Sequence, residues 1–322
     1  MAMSKKGDGK AVGAKQSAAN DTRLPPVIGA LKTSQAADRI EAMGDSKGAA
    51  RLRCAVEEVG RDVKYSRLFN FWDDTPPHAY TDHAFGFIAP PKEGDGDTAE
   101  IVDAGNIKAD ESLKNQRIKV TLDRLRVYDY PGKGEHTVLV DFYGRHQTST
   151  PNQTEDLHFT QKYRALEGSG AGVRGFDIFV GLKVGEEGVS FKCYTVNVEN
   201  KDDKKMLAFL DSDVFKKGLG LIEAFNPAIP VVSGLATGVI KMFAARNNNV
   251  PVQDFHLGLD FSQGITGARL RQGTYVAVQV PSEAEWDWSQ WVLKRAQSQQ
   301  ILSKEGSNPI KLNYIVFRID KM

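Results

Sequence analysis

The residues best equipped for chemistry stand close together in this chain: Asp73, Asp74, His78, Asp82 and His83. Carboxylates and imidazoles in one short stretch can ligate zinc or iron, or work as an acid–base pair. With a metal bound, the chain would be a metal-dependent hydrolase. The spacing argues against it. Two metal-binding histidines on one helix face need an HxxxH pattern, which is absent, and Pro76 and Pro77 interrupt any helix before His78. The five residues are therefore read first as a polar rim on an aromatic flap, with the metal site as the alternative. No metal and no cofactor is expected.

Other chemistries find less support. Neither Cys54 nor Cys193 has a histidine beside it, and no GxSxG elbow occurs. Two free thiols suggest a reducing, cytoplasmic setting. The opening MAMSKKGDGK has charge but no apolar run behind it, unlike a secretory signal. The run Gly170-Ala-Gly172-Val173-Arg174-Gly175 matches GxGxxG. A dinucleotide site needs a helix after that loop, so that its N-terminus meets the pyrophosphate. FDIFVGLKVG follows instead and reads as a strand, so the glycines are assigned to an inter-strand loop. In the acidic stretch 92–112, an EF-hand loop would require glycine where Glu100 stands.

Two groups suggest contact rather than catalysis. Trp286, Trp288 and Trp291 lie together near Arg295. They could stack on a partner, a base or a sugar, sit at a lipid interface, or anchor two sheets from within. Gly234 and Gly238 have the four-residue spacing of close helix packing, within the most apolar stretch, 218–245. Glu223, Pro227, Pro230 and Lys241 interrupt that stretch, so two helices packed on the protein are preferred to a membrane hairpin. A hairpin released by a trigger, as in pore-forming effectors, is the competing reading. The 42 basic residues are balanced by 41 acidic ones, for a net charge of +1. Without a concentrated positive field, nucleic acid is not an expected partner.

The elements that position these groups follow from periodicity. Residues 1–30 carry Lys5, Lys6, Lys10 and Lys15 and no apolar period, so a flexible basic arm is expected. Residues 31–117 read as an extension: short helices over 34–59, with Ser34 and Ser46 as caps, then an irregular flap and the acidic linker. From Ile118 the pattern alternates. IKVTLDRLRVYDY, HTVLVDFYGRHQ, LHFTQKYRAL, FDIFVGLKVG and VSFKCYTVNVE are strand candidates, with a hairpin turn at Glu186–Gly188. A two-helix insertion is predicted over 202–246. DFHLGLDF, TYVAVQV and LNYIVFRI are later strands. This gives a mainly β chain with a domain over 118–322.

The run IKVTLDRLRVYD followed by VLVDFYG resembles the start of a C2 domain. The resemblance implies a C2-like antiparallel β-sandwich carrying the two-helix insertion. It does not bring calcium, because the matching loop has Asp129 followed by Lys133, and Asp211-Ser-Asp213 falls in a predicted helix. The ending, from VPVQDFHLGLDF to YIVFRI, is similar to endings of bacterial proteins for which no activity is known. The expected function is thus a non-enzymatic interaction or assembly protein, with a protein partner or a homo-oligomer. The membrane-active effector and the metal-dependent hydrolase are the two alternatives.

Overall fold

A computed structural model describes residues 24–68, 75–147, 154–171, 173–199, 202–205, 231–232, 240–262, 267–295 and 299–322. Two helices open it. In α1 (Thr33–Ala42), Ser34 lies inside the first turn, where its N–H and hydroxyl both donate to Asp62, at 3.1 and 2.7 Å. In α2 (Ser46–Val59), Asp45 rather than Ser46 is the N-cap, and its carboxylate accepts from the Gly48 N–H at 3.1 Å. Gly60 ends α2 with φ of 67°, the left-handed conformation that glycine adopts without steric cost. A single turn, α3, spans Tyr65–Leu68.

The rest is mainly strand, in antiparallel sheets. In chain order the strands are β1 (Asp82–Ile88), β2 (Thr98–Glu100), β3 (Val102–Asp103), β4 (Arg117–Val127), β5 (Glu135–Gln147), β6 (Thr154–Leu166), β7 (Ser169–Gly170) and β8 (Phe176–Lys183). They continue as β9 (Gly188–Val198), β10 (Val231–Val232), β11 (Asn249–Asp260), β12 (Gly273–Val280), β13 (Trp291–Lys294), β14 (Gln300–Ser303) and β15 (Tyr314–Lys321). A seven-stranded sheet runs β3-β1-β12-β15-β4-β7, with β8 also on β4. A five-stranded sheet runs β10-β6-β5-β9-β11, and a small one runs β14-β13-β2.

Side-chain alternation assigns the layers. On β12, Tyr275 and Ala277 face one core, while Val276, Val278 and Val280 face another. The first core joins the two large sheets: Val120, Leu122 and Phe317 meet Val140, Phe191 and Leu257, and the Phe191 and Phe317 rings are 6.2 Å apart. It also takes in Ile40, Leu52, Tyr65 and Leu68 from the helices. The second core lies between the seven-stranded sheet and the small sheet. A third places Ile240, Phe243 and Ala244, from the helical residues 240–245, against Leu139, Tyr194, Val196 and Val198 of the five-stranded sheet, with Val27.

Other expectations change. The expected arm does not extend to residue 30, because Val27 and Ile28 are buried in the core. The flap contains β1, whose full length pairs with β12, so the seven-stranded sheet draws on residues before 118 as well as after. The turn at Glu186–Gly188 does not close a hairpin: β8 pairs with β4 and β9 with β5 and β11, so the chain crosses there from one large sheet to the other. Val231 and Val232, predicted helical, pair with His158 and Leu157 of β6. Two β-branched residues after a proline suit an extended backbone. The third sheet was not anticipated, because its strands are short and lie among turns. Of the insertion, residues 202–205 and 240–245 are helical, and the remaining expected helix, with Gly234 and Gly238, lies outside the described residues.

Candidate functional site

The structure places His78 in a 3-10 turn at Pro77–Ala79 and His83 on β1. Pro76 and Pro77 pre-set the turn's backbone. The His78 ring lies between two partners that sequence reading did not join to it. Its Nε2 is 3.1 Å from the Tyr65 hydroxyl, and its Nδ1 is 3.3 Å from Asp129 Oδ2. The second contact is an ion-pair distance without hydrogen-bond geometry. Burial, then the nearby Asp129 charge, raises the Tyr65 pKa, so the phenol stays protonated and can donate to Nε2. Asp129 stands in the loop after β4 and faces an imidazole there.

His83 points elsewhere. It is buried, its ring stands 5.0 Å from that of Phe255, and its Nε2 has no hydrogen-bond partner. Burial lowers its pKa to about 4, against the opposing pull of the Gln253 side chain and the Thr81 backbone. Asp82 is exposed at the start of β1, and Asp73 and Asp74 lie outside the described residues. Among the described residues, no three His, Cys, Asp or Glu side chains converge as a metal site. His78 and His83 serve different contacts, and the described members of the proposed cluster do not form one site.

Around them runs a buried polar network. The Tyr130 hydroxyl accepts from Gln253 Nε2 at 2.7 Å and lies 3.0 Å from Thr195 Oγ1, which accepts the Gln253 N–H. Asn197 Nδ2 donates to the Pro131 carbonyl at 2.7 Å and lies 3.1 Å from His136 Nδ1. Burial lowers the His136 pKa. The Asn313 side chain accepts the Tyr128 and Asp129 N–H groups and donates to the Asp129 carbonyl and to Gln279. Gln279 in turn donates to the Tyr80 and Val252 carbonyls. The network ties the 75–83 segment, the β4–β5 loop and both large sheets together. Its signal in the sequence was faint: Thr195, Gln279 and Asn313 each stand between apolar neighbours, and Gln253 adjoins only Asp254.

The other candidates are also placed. Trp288 is buried in the second core, while Trp286 and Trp291 are partly buried beside it and stack at 5.6 Å and 4°. Gly86 makes the room: a Cβ there would stand 2.5 Å from Ile101 Cγ2 and 2.9 Å from the Trp288 ring. The GxGxxG run leads into strand β8, the element expected there. Cys54 and Cys193 are both free thiols, the first exposed and the second buried. No helix among the described residues is long and apolar enough to cross a membrane.

Comparison with protein-family models, curated proteins and solved structures finds no match to this chain.

Proposed function

We propose that the chain is a non-enzymatic interaction or assembly protein built on a C2-like antiparallel sandwich. The shared core of the two large sheets supports the sandwich reading. One observation carries the function. β6 pairs with β5 along its whole length, but among the described residues only Leu157 and His158 meet a strand, β10, on its other side. Among the same residues β8 pairs on one side, with β4. The two strands lie at the same margin, where the Phe159 and Phe176 rings are 5.5 Å apart. Among the described residues, most of the length of these two neighbouring edges meets no further strand, and the Lys162 N–H donates to the Gln161 side chain at 3.0 Å. A sheet edge of this kind can receive another strand, from a second copy or from a protein partner.

Light scattering on the full chain over a dilution series tests the self-assembling form. A mass above 35.4 kDa that falls on dilution is expected. The Lys162 N–H donates to Gln161 Oε1, so by strand alternation the Thr160 and Arg164 N–H groups also turn away from β5, and proline placed separately at Thr160 and Arg164 blocks the edge. The Arg164 variant should keep the wild-type melting temperature, and each variant should lose the higher mass. A constant monomer mass in the wild type, or assembly unchanged in both variants, would sink this form of the reading.

A further inference from the structure

A cleft of about 420 Å³ opens where the end of β1 meets β2, β3 and the loop before β12. Its volume is in the range of small-molecule sites. Phe87, Ile88, Ala99, Val102 and Ile107 give it an apolar lining. Val102 is 42% exposed, one of three large hydrophobic side chains so exposed among the described residues. Lys108, Arg271 and Arg295 complete the wall, with Glu100 as the single acid.

The charges do not cancel within the cleft. Glu100 Oε1 lies 3.4 Å from Lys304, and Arg295 is bound to Asp95 at 2.8 Å. Among the described residues, Lys108 and Arg271 have no carboxylate at ion-pair distance. Arg271 spends one donor on the Lys108 carbonyl, at 3.1 Å. A guanidinium has five donors in a planar fork, which suits a carboxylate or phosphate.

Both cations are mounted on fixed backbone. The fully buried Tyr275 hydroxyl accepts the Arg271 N–H at 2.8 Å and lies 2.7 Å from the Arg269 carbonyl and 3.0 Å from that of Arg271. The Asp110 N–H donates to the Leu270 carbonyl, and the Arg269 N–H to that of Ala104, joining the segment of Lys108 to the loop of Arg271. A backbone already fixed beneath the cations loses little in ordering when a ligand arrives.

We propose that this cleft binds a small amphipathic anion, an apolar body bearing one carboxylate or phosphate group, with Arg271 and Lys108 on the anion and Val102, Ile107 and Phe87 under the apolar part. This site is independent of the assembly reading and stands or falls separately.

The probe is anilinonaphthalene sulfonate, an apolar anion whose fluorescence reports binding, titrated into the full chain. Saturable binding at one site, displaced by decanoate, is expected. Arg271→Gln and Lys108→Gln should each weaken it about tenfold, the scale of one charge-assisted hydrogen bond. Lys311→Gln, outside the cleft, should leave it unchanged. Lys108 is exposed, so its variant separates lost binding from lost folding. Undiminished binding by both cleft variants would overturn the proposal. So would equal affinity for neutral N-phenylnaphthylamine, or displacement by inorganic phosphate as effective as by decanoate.

Discussion

His83 shows how a single residue couples this fold to pH. Its ring is buried against Phe255, and its folded pKa of about 4 lies well below the ordinary value of 6.5. Between those values the unfolded chain binds a proton that the folded one refuses. Stability from this group is therefore complete above pH 6.5 and is lost as pH falls toward 4, by about 3 kcal/mol over the window. His136, also lowered by burial, acts in the same direction. Asp123, raised by burial, acts oppositely, since its protonated form is the one the fold prefers. Urea midpoints of wild type and His83→Gln at pH 7 and pH 5 isolate the histidine by difference. The wild type should lose more stability than the variant between the two pH values; equal losses would assign the effect to other groups.

At the scale of elements, Gly86 decides whether the small sheet can dock. It sits on β1 opposite Val276 of β12, and the space a side chain would fill is taken by Ile101 and Trp288. Ile101 belongs to the segment joining β2 to β3, and Trp288 to the turn before β13, so one missing methyl admits both. Gly86→Ala should force them apart and destabilise the protein by about 1–3 kcal/mol, the usual cost of an overfilled core. Tryptophan emission should shift to the red as Trp288 moves toward water. A variant with unchanged melting temperature and emission would mean the small sheet adapts freely.

For the whole molecule, the consequence of β1 is that no cut at residue 118 leaves a complete sheet. β1 lies between β3 and β12, and the helices before it contribute Ile40, Leu52, Tyr65 and Leu68 to the core shared by the large sheets. A fragment of residues 118–322 would uncover that apolar surface and one edge of β12, and would leave Gln279 without the Tyr80 carbonyl. It should be insoluble or molten, with weak near-ultraviolet circular dichroism and no cooperative melt. The fragment folding cooperatively would show that residues 24–117 are an addition to a self-sufficient unit. Deleting residues 1–23 is a different matter. It keeps Pro25, whose carbonyl accepts from the Tyr194 hydroxyl at 2.7 Å, and Val27 in the third core.

The sequence by itself determined the β character from residue 118 onward, because alternation is a local property. A strand with one face in a core must repeat every two residues wherever its partners lie, and IKVTLDRL, VSFKCYTV and TYVAVQV each state that. It also determined that GxGxxG leads into a strand. It could not determine pairing. β8 and β9 are neighbours in sequence with a turn between them, yet Gly185–Gly188 carries the chain across the core rather than back along one sheet. β1 sat in text dominated by aromatics and prolines, and its place is decided by its contact with β12, about 190 residues away. The chemistry divides in the same way. Residue types identified His78 and His83 as worth examining, but an imidazole's role is set by what surrounds it. Tyr65 and Asp129 reach His78 from two elements, and Gln253 and Phe255 reach His83 from a third. Lys108, Arg271 and Arg295 had no motif at all, since charges that far apart in sequence converge only when the chain has folded.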